Sequence, residues 1–284
     1  SIKDRERSFG RTKKRMMKNL EVLEEIRKQG KNLIETKRDE FVKQNLLSDE
    51  FIQMMQKNKK PFELLMSYYQ CAIMEIETKF RVLNQEYSLS YDQNPIEGIK
   101  TRVKSYESIM RKIRVKDIPV TLESIEENIR DIAGVRVICS FPSDIYKLAD
   151  SFLKQDDITL IERKDYIQHP KESGYRSLHL IVQVPIFLQD TKKLVYVEVQ
   201  FRTIAMDFWA SLEHKIYYKF EGQAPEYISR ELKECADMVS ALDDKMLSLN
   251  EAIQECLEKQ EELNMSTKTK ESNREDQRVL QGLD

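Results

Sequence analysis

Apolar residues recur every third or fourth position over two long stretches, and alternate with polar ones over several short stretches between them. Phe62, Leu65, Tyr69, Ile73, Ile76, Phe80 and Leu83 form one stripe, which predicts a helix over 61–87 with Pro61 in its first turn. A weaker pattern, Met16, Leu20, Leu23 and Ile26, predicts helix within 11–47, with Gly30 as a break. Tyr87 to Pro95 reads as a polar break. Helices are then expected at Ser105–Val115, at Thr121–Ile129 behind a Thr121 cap, at 144–154 and at 203–220. Strands are expected at Ile132–Phe141, 158–167, 177–187 and Tyr196–Arg202. In the last, Val195, Val197, Val199 and Phe201 face one way, and Glu198, Gln200 and Arg202 the other. The centre is therefore a mixed α/β unit. After Pro225, Leu232, Cys235, Val239, Leu242, Met246, Leu249, Ile253, Cys256, Gln260 and Leu263 step by three and four, a heptad seam. That seam either packs against the 61–87 stripe or joins subunits. The polar residues after Met265 are expected to be disordered.

Charge sharpens this division. The 284 residues sum to −2, but residues 1–60 carry 17 Lys+Arg against 10 Asp+Glu, and residues 221–284 carry 8 against 16. Opposed ends of this kind attract each other or a partner, although solvated helix faces have the same look. Charged residues make up 34 % of the chain and apolar ones 40 %, which fits long solvated helices around a moderate core. The four cysteines lie far apart with no CxxC pair, which disfavours a disulfide framework and a cysteine zinc site. No apolar run reaches a membrane span, and the first residues are charged, so the expectation is a cytoplasmic protein with no signal peptide and no membrane partner.

Several clusters carry chemistry. The sequence has no Gly-rich phosphate loop, so nucleotide binding would rest on side chains. Glu198 on a rigid strand could bind Mg²⁺ or take a proton from a hydroxyl, and a plain exposed sheet face has the same alternation. Asp131 stands where a helix gives way to a strand, a position for a metal ligand or equally for a turn. Lys100, Arg102, Lys104, Lys112, Arg114 and Lys116, beside Ser105 and Ser108, could hold a polyphosphate or form an ordinary basic surface. In Lys171-Glu-Ser-Gly-Tyr-Arg-Ser-Leu-His179, Tyr175 could stack on a base. His179 and Trp209 have structural readings of their own. Asp207 and His214, seven apart, share a helix face.

Taken together, Asp131-Ile-Ala-Gly-Val-Arg136, Lys164-Asp-Tyr-Ile167, Gly174-Tyr-Arg-Ser-Leu-His179, Val197-Glu-Val-Gln-Phe-Arg-Thr203 and Met206-Asp-Phe-Trp-Ala-Ser-Leu-Glu-His214 stand in the order and spacing of the RelA/SpoT synthetase domain. Over about 61–260 the chain resembles the small alarmone synthetases, the RelP type in particular. The resemblance implies a nucleotidyltransferase-like, mixed five-stranded sheet flanked by helices, and Mg²⁺-dependent transfer of the β,γ-pyrophosphate of ATP to the ribose 3′-OH of GDP or GTP. Carried over by position, Asp131 would ligate Mg²⁺, and Glu198 would act as base or share the metal. Arg102 and Arg136 would sandwich adenine, while Lys104, Ser108 and Lys112 would hold phosphates. Tyr175 would stack on guanine, with Lys164, Lys171, His179, Gln200 and Asp207 on the acceptor side. Some relatives carry Arg where Lys164 stands and Asn where Asp207 stands. The order of preference among GMP, GDP and GTP is left open.

The resemblance further implies a homotetramer built with terminal helices, with (p)ppGpp or single-stranded RNA as regulatory ligands to weigh. The division expected is a basic extension without an assigned role at 1–50, the synthetase core at 51–220, an oligomerisation helix at 221–265 and a tail at 266–284. The three histidines precede Pro170, Leu180 and Lys215, so the His-Asp pair of the family's hydrolase domain is missing from this sequence. Two other readings compete: an RNA nucleotidyltransferase, from the implied fold and the basic N-terminal part, and a binding module with weak or lost catalysis.

Overall fold

A computed structural model describes residues 49–91, 94–218 and 225–281; the helix expected within 11–47 lies outside them. Helix α1 (Asp49–Lys57) leads into the long α2 (Lys59–Tyr91). Then come β1 (Ile96–Val103), α3 (Tyr106–Lys116), α4 (Leu122–Asn128), β2 (Ala133–Cys139), α5 (Pro142–Leu153), β3 (Thr159–Asp165), β4 (Leu178–Phe187), β5 (Lys192–Thr203), α6 (Ile204–Tyr218) and α7 (Glu226–Gln281). The strands form one mixed sheet in the order β1-β2-β5-β4-β3. Only β2 and β5 run parallel; the other neighbours are antiparallel.

The period-3.6 stripe of α2 explains its place. All seven of its predicted apolar positions are buried, together with Met66 and Ala72, on the sheet face made by Val135, Val137, Val197, Val199 and Phe201. Phe80 stacks on Phe152 of α5, with centroids 4.7 Å apart, and meets Phe201 edge-on at 5.4 Å. Deleting such a ring costs roughly 3–5 kcal/mol. The period-2 pattern of β5 then forces its polar residues onto the opposite face.

Local signals set the helix starts. The Ser105 side chain accepts from the Ser108 amide at the start of α3, and Thr121 accepts from Ser124 at the start of α4. Strand β5 starts at Lys192, four residues before the expected Tyr196, and two helices run well past their expected ends. Helix α2 continues to Tyr91, past the polar break placed at Tyr87, because 87–91 holds no Gly or Pro and the Tyr87 hydroxyl is 3.1 Å from Ser151 Oγ on α5. Helix α7 runs to Gln281, where a disordered tail was expected after Met265. Residues 266–281 contain no helix breaker, and Gly282 follows them.

The heptad seam of α7 does not meet the 61–87 stripe, since that stripe is spent on the sheet. Leu232 and Ala236 pack with Trp209 and Ala210 of α6, and Trp209 Nε1 donates to the Leu232 carbonyl at 2.9 Å. Trp209 is thus a packing residue. Farther along, Leu242, Met246, Leu249 and Ile253 are 50–58 % exposed and form an apolar stripe.

Candidate active site

Strand register assembles the polar face. Lys100, Arg136, Gln200, His179 and Lys164 are consecutive partners across all five strands, so they form one row. The next row is Arg102, Gly134, Glu198, Ile181 and Glu162. Residues distant in the chain therefore share a surface because partners in register face the same way. At the β1–β2–β5 end a cleft of about 90 Å³ is lined by Lys100, Arg102, Arg136, Glu198 and Gln200. Gly134 leaves room for Arg102 to lie across it: a Cβ there would be 3.4 Å from Arg102 Cγ.

Asp131 precedes β2 between two buried isoleucines, Ile129 and Ile132. The Lys104 amide donates to the Ile132 carbonyl at 2.8 Å, which brings the Lys104 ammonium to within 2.9 Å of Asp131 Oδ2. Lys112, from α3, donates to the same oxygen. Burial pushes the Asp131 carboxyl up, but the two ammonium groups outweigh it and hold it below the ordinary range. Its Oδ1 is buried and has no hydrogen-bond partner among the described residues. Ser108 stays close by, its Oγ accepting from Ser105 at 3.0 Å.

Glu198 sits between His179 and Gln200. Gln200 Nε2 donates to Glu198 Oε2 at 2.9 Å, and His179 Nδ1 is 3.6 Å from Oε1. Burial raises the Glu198 carboxyl; the contacts with His179 and Gln200 prevail and lower it, against a smaller upward push from Asp131. Glu198 is thus an ionised carboxylate held in a fixed direction. The other His179 nitrogen, Nε2, is 2.8 Å from the Tyr175 hydroxyl. Tyr175 is flanked by Lys171, with Nζ 5.0 Å from the ring centroid, and by Arg202, with Cζ at 5.1 Å. Lys164 pairs with Glu162 at 2.9 Å, and that pairing leads the influences that raise its pKa.

Asp207, in the first turn of α6, is deeply buried. Arg136 and Arg202 each donate an Nη1 proton to its Oδ1 at 3.1 Å, and Lys100 donates to Oδ2 at 2.7 Å. Burial raises its carboxyl and the three cations more than reverse that. Every residue expected at the site falls on this one face or its rim. His214, seven residues along α6 from Asp207, is exposed. Two groups had no assigned role from sequence: Lys100, visible only within a basic cluster, and Arg202, visible only as one position of an alternating strand.

A family model described as "Region found in RelA / SpoT proteins" matches residues 101–223, which include every named residue of this face but Lys100. The GTP pyrophosphokinase YwaC of Bacillus subtilis is 49 % identical over 185 residues, 65 % of this chain and 88 % of that protein. The chain belongs to the RelA/SpoT family. A second Bacillus subtilis GTP pyrophosphokinase, YjbM, is 38 % identical over 69 % of this chain and 92 % of its own length. Among solved structures, small alarmone synthetase 1 of Bacillus subtilis, bound to its product pppGpp, matches with a TM-score of 0.64 and 38 % identity, covering 69 % of this chain and 99 % of that one. Small alarmone synthetase 2 matches at 0.63 and 46 % identity, covering 68 % and 100 %. This RelA/SpoT chain is therefore a small alarmone synthetase, and the mixed five-stranded sheet expected of it is the one found. Among the described residues no helix is long and apolar enough to cross a membrane.

Proposed function

We propose that the chain moves the β,γ-pyrophosphate of ATP to the ribose 3′-OH of GDP or GTP on the polar face of the sheet. What carries this reading is register: Glu198 stands between the Arg102–Arg136 end of the sheet and the His179–Lys164 end. Donor and acceptor would meet over it.

Arg102 and Arg136 present guanidinium planes for adenine. Lys104, Lys112 and Ser108 bind the donor phosphates. Tyr175 stacks on guanine, with Lys171, Lys164, His179, Gln200 and Asp207 around the acceptor. The 3′-oxygen attacks Pβ, the Pα–O–Pβ bridge breaks, AMP leaves, and the 3′-OH proton goes to Glu198. In-line placement and neutralised phosphate charge account for most of the rate in such transfers. The residues fit Mg²⁺: Asp131 Oδ1 has a free buried lone pair, and Glu198 supplies a second nearby carboxylate, enough for an ion that takes its other oxygens from phosphates and water. When bound, Mg²⁺ would offset phosphate charge.

The exposed Leu242–Ile253 stripe supports assembly through α7, and the homotetramer is the state we propose for a cytoplasmic enzyme. The test is incubation with Mg²⁺, γ-labelled ATP and GMP, GDP or GTP in turn. Label in a guanosine tetra- or pentaphosphate, with AMP released, is the expected result. No transfer to any acceptor from folded protein overturns the reading.

A further inference from the structure

Arg202 is 5 % exposed and has two hydrogen-bonded ends. Its Nη2 donates to the Tyr175 hydroxyl at 2.8 Å and to Gln200 Oε1 at 3.2 Å. Its Nη1 donates to Asp207 Oδ1, the same atom that accepts from Arg136 Nη1. Arg202 and Asp207 thus connect the ring offered to the acceptor base, Tyr175, with the guanidinium offered to adenine, Arg136. A buried guanidinium is costly unless its geometry is used. Here the planar fork spans two partners that a lysine could not reach together. Both arginines also keep a buried Nε without a hydrogen-bond partner among the described residues, so Asp207 is what fixes each of them at this end.

We infer that Tyr175, Arg202, Asp207 and Arg136 form a bridge that makes the two nucleotides bind interdependently, with Arg202 as a positioning residue. A base stacked on Tyr175 fixes its hydroxyl, hence Arg202, hence the shared Asp207 oxygen and the direction of Arg136. The second nucleotide then meets groups already ordered, and binds more tightly than the first. This rests on the proposed assignment of Tyr175 to the acceptor and Arg136 to ATP.

The experiment is calorimetric titration of the full chain with Mg²⁺ and α,β-methylene-ATP, in which a methylene group replaces the oxygen between Pα and Pβ so that no transfer occurs, with and without saturating GDP. GDP should tighten the analogue by at least about 5-fold, and linkage requires the analogue to tighten GDP by the same factor. Arg202→Lys should bring that factor below about 2. Thermal melting checks that this variant folds. Tyr175→Phe, which keeps the ring and loses the hydroxyl, should do the same and stands in if Arg202→Lys unfolds. A merely structural arginine would change both affinities and leave their ratio alone. A factor near 1 in the unaltered protein, or a full factor in both variants, overturns the bridge while leaving the site intact. Failure of either nucleotide to bind overturns the bridge together with the site.

Discussion

Gly174 lies against Ala236: a Cβ on the glycine would come within 2.5 Å of the Ala236 Cβ. Gly174 also has φ +88°, where L side chains are strained. The loop that carries Tyr175 is therefore seated directly on α7. Gly174→Ala should destabilise the fold by about 1–3 kcal/mol through overpacking and backbone strain together. Combining it with Ala236→Gly should recover part of the loss, since the next neighbour is Lys233 Cα at 3.7 Å. Denaturant unfolding of the two single variants and the double variant measures the coupling.

Glu198→Gln should lower pyrophosphate transfer roughly 10²- to 10⁴-fold. Circular dichroism should be unchanged, because the amide can still accept from Gln200. Transfer within 10-fold of the unaltered enzyme would remove Glu198 as the base.

The Glu198 and Asp131 carboxyls are both held below their ordinary values. Both should be ionised throughout the neutral range, and the stability they contribute should disappear only as pH falls below about 4. Infrared difference spectra against Glu198→Gln should show the carboxylate band intact at pH 5. A band that titrates near pH 6 would contradict the geometry around His179.

Asp243 on α7 accepts from Thr203 Oγ1 at 2.6 Å, yet burial prevails and raises its carboxyl. A raised folded value means stability is lost as pH rises through it. Asp243→Asn keeps an acceptor without the charge. It should be as stable as the unaltered chain, or more so, at pH 7, and the difference should shrink as pH falls through the carboxylate range. Melting temperatures at pH 7 and pH 4.5 give the comparison.

Leu249→Glu or Met246→Glu places a charge in the exposed stripe of α7. Sedimentation should show a smaller species than the unaltered protein. The same mass for all three would separate assembly from this stripe.

Much of this was legible because burial leaves periodic traces. Seven apolar residues at helical spacing defined α2, and strict alternation gave β5 and its polar face. Strand β1 left none: it is an edge strand, exposed in part on both faces, and Ile96-Glu-Gly-Ile-Lys-Thr-Arg-Val103 does not alternate. The Asp207 cluster was invisible for another reason. Lys100 and Arg136 are 107 and 71 positions away from it, and only sheet register brings them together. The partner of the α7 seam was undecided because a heptad records that something apolar covers it, not what.

The row from Lys100 to Lys164 has no loop in it; every member is fixed by a neighbouring strand's hydrogen-bond ladder. Slipping any one strand by a residue would turn its contribution to the opposite side of the sheet. Heat should therefore disorder this row and abolish the sheet's circular dichroism in a single transition, whereas Lys171 and Tyr175, on the loop before β4, are free to lose their order earlier.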